Sequence, residues 1–416
     1  MSVHSSLFPY NILRNRARLA ATIGALALVS ACGSDQPTIA GPSSAGGGST
    51  GGVTPAVLAS PGWQQTARDL VAGAKFAALD AGRAYPLLGV AQYLAVQRAE
   101  GVEGASERAV TDRGAVAGAS VAVLSYLFPG KAQILEEMVK QQANTGPQQS
   151  RLTFAAGEAI GRAAGADIVG RGRVDGFGIA NTAVAPLGDG FWTSSTSPAT
   201  LAAGGQLPGM TRWFLTSANQ FRPGPPPKFG SAEFNAALAE IREISDTRTA
   251  EQIQIATFWA LNAGTATSPG FWLDQASKEV AAHSLSERQA THVFALVSST
   301  MADALIACWD AKLTYWLIRP WNADTGITTL AAVGRPNHPS FPSGHSCVSS
   351  SAAEVLSTFF PERRAALGAM VSEAGLSRMY AGIHYRFDVV AGQNLGRSVA
   401  LFTIAADASG NSVLSH

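Results

Sequence analysis

Cysteine is scarce in this chain of 416 residues, which has three, at Cys32, Cys308 and Cys347. No C-x-x-C spacing joins them, so neither a dithiol redox motif nor a zinc knuckle is present. Charge is scarce as well. Asp, Glu, Lys and Arg make up only 14% of the residues, too few for a long coiled coil. The 30 basic and 29 acidic residues leave a net charge of +1, which argues against a nucleic-acid partner or a polybasic membrane contact. Asn-Gly and Asp-Gly hairpin signals are nearly missing, as are runs of Val, Ile and Thr between turns. There is no H-E-x-x-H, no G-x-x-x-x-G-K-[ST] and no strand-to-helix G-x-S-x-G elbow.

The apolar content, 46%, excludes disorder and requires a large core. From residue 62 onward the apolar residues recur at helical spacing, as in 63–82, 114–128, 232–244 and 251–262. Start signals are Ser231, Thr249, and Ser284 with Glu287 three residues later. Gly and Pro collect between these segments, notably in 185–210 and 222–230. The expectation is an all-α protein of helical bundles with long irregular loops. No membrane span is expected after residue 31, because the most apolar late stretch, 389–408, contains Gln393, Asn394 and Arg397.

The N-terminus has a different composition. Residues 1–31 hold Arg14, Arg16 and Arg18, no acid, and a charge-free run from Leu19 to Ala31 that is too short to span a bilayer. The run ends in Val29-Ser30-Ala31-Cys32, which resembles a bacterial lipobox. The expectation is a signal peptide over 1–31, lipidation of Cys32, and a mature net charge of −2. Residues 32–61 read as a Gly/Ser-rich tether with a reach of roughly 30 Å, and 62–416 as the folded domain. Such a protein would sit lipid-anchored in a bacterial cell envelope, periplasmic or outer-membrane-facing, touching the membrane only through its lipid.

Chemistry concentrates in the last third, where three of the seven histidines fall within 338–384. Lys312 and Arg319 are seven apart, a spacing that places both cations on one helical face. Such a pair is costly to bury without an anion. Pro339-Ser340-Phe341-Pro342-Ser343-Gly344-His345 reads as a Pro-braced turn feeding a helix over 347–359, whose N-terminus suits an anion. Downstream, His384 and Asp388 are four apart, so the carboxylate can hold one imidazole nitrogen and leave the other free. With Arg378, these groups make a cage for a tetrahedral oxyanion. Cys308 and Cys347 read either as a pair or as two buried thiols.

Lys312 through Arg319-Pro320, Pro342-Ser343-Gly344-His345, and Ser377-Arg378 through His384 to Asp388 match, in order and spacing, a three-part signature. It resembles the one shared by type 2 phosphatidic acid phosphatases, bacterial class A acid phosphatases and vanadium-dependent haloperoxidases. The resemblance implies that Lys312, Arg319 and Arg378 neutralise the oxygens of phosphate or vanadate, with Ser343 and the Gly344 amide adding hydrogen bonds. It implies that His384 is the nucleophile toward phosphorus or the single protein ligand of vanadium. His345 would be the acid/base group, and Asp388 would orient His384.

Neighbouring residues lean toward the haloperoxidases. Trp309, three before Lys312, resembles their halide-site aromatic, although a helical Trp is also ordinary core. His338, five before Ser343, resembles the second His of bromoperoxidases, although it also suits a solvated turn. The resemblance implies one vanadate per chain, hydrogen peroxide polarised by Lys312, a bromide or iodide substrate near Trp309 and His338, and a homodimer. An acid phosphatase acting on a phosphomonoester through phospho-His384, without vanadate, is the alternative. A non-catalytic oxyanion-binding lipoprotein is the third reading. Asp324, just after Arg319-Pro320, departs from the haloperoxidase pattern and is expected to weaken anion affinity.

Overall fold

The computed structural model describes residues 58–101, 107–410 and 412–415. The signal segment, Cys32 and most of the tether lie outside them. Among the described residues the fold is all-helical, with no strand. Helix α1 (Ser60–Gly73) begins just inside the stretch expected to be tether. The continuous pattern over 63–82 turns out to be two elements: Lys75, at φ 54°, ends α1, and α2 (Ala78–Glu100) starts afresh. Then come α3 (Arg108–Leu127), α4 (Ala132–Ala143) and α5 (Gln148–Arg173). Residues 174–231 form the longest irregular connection, containing the two Gly/Pro-rich stretches.

Helices α6 (Ala232–Thr247) and α7 (Ala250–Phe258) start at the expected caps, Ser231 and Thr249, whose hydroxyls accept from Phe234 N and Gln252 N. After α8 (Thr267–Ala282), α9 (Glu287–Tyr315) is capped by Ser286 with Gln289 rather than by Ser284. Ser284 stands at φ 50° in the preceding turn. Glu287 is instead turned to α1, taking the amides of Ala59 (2.7 Å) and Ser60 (2.9 Å). The chain closes with α10 (Pro320–Ala323), α11 (Gly344–Phe359), α12 (Arg364–Tyr380) and α13 (Arg386–Ala408).

Helix α9 is the axis of the fold, packed against α2, α8, α11 and α13. It alone among the described helices is long and apolar enough to cross a membrane, a feature the sequence reading passed over. However, 94% of its apolar window is buried in the fold. Its interior holds a fully buried acid, Asp303, whose carboxylate accepts from the amides of Trp213 (2.8 Å), Phe214 (2.7 Å) and Leu215 (2.9 Å). Three amide donors satisfy that carboxylate and fasten the long irregular connection to the axis. Helices α3 and α5 approach so closely that a Cβ on Gly161 would strike the Ala115 carbonyl.

Candidate active site

The last turn and a half of α9 supplies the first cation. Lys312 is completely buried, and its ammonium donates to the carbonyls of Pro339 (2.8 Å), Ser340 (2.9 Å) and Pro342 (2.5 Å). An ammonium has three donors, so all are committed to the 339–342 turn. Lys312 therefore acts on the site as a charge through space. Burial, reinforced by Arg319, pushes its pKa down to about 8.

Lys312 and Arg319 do not share a helical face. Trp316 adopts a left-handed conformation (φ 49°, ψ 32°) that caps α9, and Arg319 is extended (φ −81°, ψ 153°), as the residue before a proline should be. The turn nevertheless delivers Arg319, fully buried, to the same place. Its Nε donates to the His338 carbonyl (2.9 Å), Nη1 to the Ile383 carbonyl (2.6 Å) and to His384 Nε2 (3.1 Å), and Nη2 to His338 Nδ1 (3.1 Å).

Helix α11 begins earlier than expected, with Ser343 as its cap: Oγ accepts from Ser346 N (3.4 Å), and Ser343 N donates to the Asp388 carbonyl (2.9 Å). The Gly344 amide, in the first turn, has no protein acceptor among the described residues. Next to it, His345 Nε2 meets the Trp259 carbonyl (3.0 Å). A carbonyl only accepts, so Nε2 carries the hydrogen and Nδ1 keeps a lone pair. Burial and Arg378 hold this imidazole well below its usual pKa, hence neutral.

Helices α12 and α13 close the site. Arg378 donates through Nε to Ser377 Oγ (3.0 Å) and through Nη2 to the Ala256 carbonyl (3.3 Å), which leaves Nη1 without a protein partner among the described residues. Burial and repulsion from Arg319 push its pKa to about 9. Asp388 Oδ2 gathers three donors: Ser340 Oγ (2.6 Å), His384 Nδ1 (2.8 Å) and Tyr385 N (3.1 Å). Burial lifts the Asp388 pKa to about 6, opposed by the Ser340 bond, so it is ionised at neutral pH. The carboxylate keeps the hydrogen on Nδ1 of His384 and a lone pair on Nε2. Burial, Arg319 and Lys312 hold that imidazole well below its usual pKa.

Trp309 and His338 lie together on the wall, with rings 4.9 Å apart. Trp309 Nε1 donates to the Ala203 carbonyl (2.7 Å), and its ring lies 5.6 Å from the Lys312 ammonium. It is thus both core and wall. His338 is no solvated turn, since Arg319 holds its Nδ1. A cavity of about 390 Å³ opens between Trp309, His338, Gly344, His345, Arg378 and His384. The expected site residues therefore meet, with Lys312, Arg319, Ser343 and Asp388 behind the wall. Asp324 stays out: its carboxylate takes Arg242 (3.1 Å) and the Gly326 amide (2.8 Å) on the α6 side. Cys308 and Cys347 are buried free thiols.

Ser340 was missed. It sits between two prolines in the quoted turn, and only its 2.6 Å bond to Asp388 reveals its part. The Trp259 and Ala256 carbonyls also hold site residues, and a carbonyl has no sequence signature.

No carboxylate lies within 4.0 Å of Lys312, Arg319 or Arg378 among the described residues, and Asp388 is the one acid in the cage. Three buried cations against one carboxylate are costly unless an anion completes the set. The PAP2 superfamily model matches residues 291–409, which hold every one of these side chains. Residues 291–409 are a PAP2 superfamily region. It is 30% identical over 174 residues to a non-specific acid phosphatase of Providencia stuartii, a match spanning 40% of this chain and 66% of that enzyme. In fold it is similar to a bacterial vanadium-dependent iodoperoxidase (TM-score 0.69, 23% identity, 83% of this chain and 95% of that one). It is also similar to the holo form of a bacterial vanadium-dependent chloroperoxidase (TM-score 0.61, 14% identity, 88% and 95%). These likenesses bear out the expected helical haloperoxidase-like fold, and the proteins this chain resembles include haloperoxidases by fold and an acid phosphatase by sequence.

Proposed function

We propose that this protein is a vanadium-dependent haloperoxidase that uses hydrogen peroxide to oxidise bromide or iodide to a hypohalous-acid equivalent. The observation that carries the reading is the Trp309–His338 pair, which faces the cavity beside the cage and is tied to it through Arg319. The fold shared with two haloperoxidases over most of the chain supports it.

The cage fits vanadate as a donor set: Nη1 of Arg378, the Gly344 amide, Ser343 and Arg319 for its oxygens, and His384 Nε2 as the ligand atom. Bound there, vanadate would supply a Lewis acid that activates peroxide. The other tasks fall to the chain. Arg319 Nη1 must release His384 Nε2 before that atom can bond. Asp388 keeps the proton on Nδ1 so that the lone pair stays on Nε2. His345 Nδ1 accepts and returns the proton. Lys312 lends charge to the site and braces the 339–342 turn.

The acid phosphatase alternative is favoured by the sequence match to a phosphatase, and the same atoms serve it, with His384 Nε2 attacking phosphorus. Protein loaded with vanadate should iodinate or brominate a dye with peroxide, and phosphate should inhibit. Unchanged dye, with phosphomonoester hydrolysis by the vanadate-free form, would replace the first reading with the second. Activity that survives in His384→Ala would sink both mechanisms, whereas neither activity in the unaltered protein, with or without vanadate, would leave an oxyanion-binding protein. The lipobox-like segment also supports attachment to a bacterial envelope through Cys32. Cys32→Ser should move the protein from the membrane to the soluble fraction, and its staying put would refute the anchor.

A further inference from the structure

The cavity is larger than its oxyanion. A volume of about 390 Å³ falls within the range of roughly 300–1,000 Å³ typical of sites for whole organic ligands. A four-oxygen anion and a halide ion leave much of it unused. Away from the cage its walls are mostly apolar, with Ala78, Leu261, Pro269, Leu305 and Val348 beside the polar Ser268 and Asn262.

Its rim is built rather than loose. The turn after α7 is fastened to the turn before His338 by Asn262, whose Nδ2 donates to the Ala332 carbonyl (2.8 Å). Leu261, on that first turn, stands at φ 44°, a costly conformation for a residue with a Cβ, held where it faces the cavity. Arg335 lies on the second turn. It is exposed and lines the cavity, and its guanidinium carbon is 5.9 Å from the Trp321 ring. Its one protein hydrogen bond among the described residues is a long one, Nε to Thr329 Oγ1 (3.4 Å), and no carboxylate lies within 4.0 Å. The cavity is thus lined by buried Arg378, by a mostly apolar wall and by an exposed arginine whose Nη atoms have no protein hydrogen bond among the described residues.

We infer that the outer part of this cavity binds an organic molecule with an apolar body and an anionic group, with the anion on Arg335 and the body against the Leu261, Leu305 and Val348 wall. The inference rests on reading the cage as a reaction site. The molecule is then the organic acceptor of the oxidised halide, or the alcohol part of a phosphomonoester.

The experiment is calorimetric titration of vanadate-free protein held in saturating phosphate, which fills the cage. The probes are 4-hydroxyphenylacetate and its uncharged methyl ester. The acid should bind about 10-fold more tightly than the ester, the equivalent of one charge-assisted hydrogen bond. Arg335→Gln should erase the preference without weakening the ester, and Arg335→Lys should restore part of it. In turnover, Arg335→Gln should raise KM for the acid about 10-fold while iodide oxidation without an acceptor is unchanged. Equal binding of the two probes to the unaltered protein overturns the inference, as does a preference that survives in Arg335→Gln. Loss of acid binding under phosphate overturns it too, because the acid would then be sitting in the cage. An intact preference in protein that oxidises no halide supports the organic-anion site and sinks only the haloperoxidase reading. Hydrolysis of an aryl phosphate that carries the same carboxylate, with KM raised in Arg335→Gln, assigns the site to the phosphoester instead of the acceptor.

Discussion

Binding of phosphate or vanadate should stabilise the protein, and affinity should fall as the pH rises through the range set by Lys312. In the anion-free fold its pKa is about 8, against 10.5 for an ordinary lysine. This is a lowered pKa on a base, so below pH 8 the fold carries a charge it disfavours, and this group's contribution to stability rises from pH 8 toward 10.5. An anion reverses that by drawing the pKa back up. Below pH 8 both free and bound forms are protonated, and Lys312 adds no pH dependence. Above it, binding takes up a proton, so Kd should rise up to about 10-fold per pH unit. Full restoration over the 2.5 units between the two values corresponds to at most about 3 kcal/mol of coupling. Phosphate at 100 times Kd should add about 2.7 kcal/mol at pH 7, a melting-point gain on the order of 5 °C. Arg378, pushed to about 9, steepens the fall only beyond that pH, so the window from 8 to 9 isolates the lysine. The assay is thermal denaturation against phosphate at half-unit pH steps, for the unaltered protein and Lys312→Met. A flat Kd from pH 7 to 9, or the same slope in Lys312→Met, would refute the reasoning.

Ser340→Ala removes the 2.6 Å donor to Asp388, which should cost about 1–3 kcal/mol of stability. Because that bond lowers the Asp388 pKa, the acid limb of the kcat profile should move to higher pH, and an unmoved limb would count against the role of Ser340. Gly161→Ala forces α3 away from α5 and should lower stability by about 1–3 kcal/mol in chemical denaturation; an unchanged midpoint would show that the helices can part freely. Asp324→Asn should leave phosphate affinity unchanged and cost little stability, because its pair with Arg242 is screened by solvent. A marked gain in phosphate affinity would return Asp324 to the cage.

Short-range features were legible from residue order. The 3.6-residue periodicity marked the helices, the hydroxyls of Ser231 and Thr249 marked two of their starts, and the spacing of His384 and Asp388 marked a bonded pair across the start of α13. Each depends on groups within a few residues of one another. Where two local signals competed, residue order was not enough. Ser284 and Ser286 both suit a cap, and the choice of Ser286 frees Glu287 for the amides of α1, more than two hundred residues upstream. The apolar length of α9 is compatible with a membrane or a core, and its neighbours made it core.

The oxyanion signature named the cage residues, but not how they are held. Arg319 arrives by a left-handed turn at Trp316 rather than along a helix, and Lys312 spends its protons on three carbonyls. Ser340 braces Asp388, and Trp259 sets the His345 tautomer through its carbonyl. These contacts are made largely by backbone atoms, which every residue type carries, across gaps of up to 86 residues. Residue identities therefore determined which charges this protein must bury, and only the packing of distant segments decided which of those charges remain free to meet an anion.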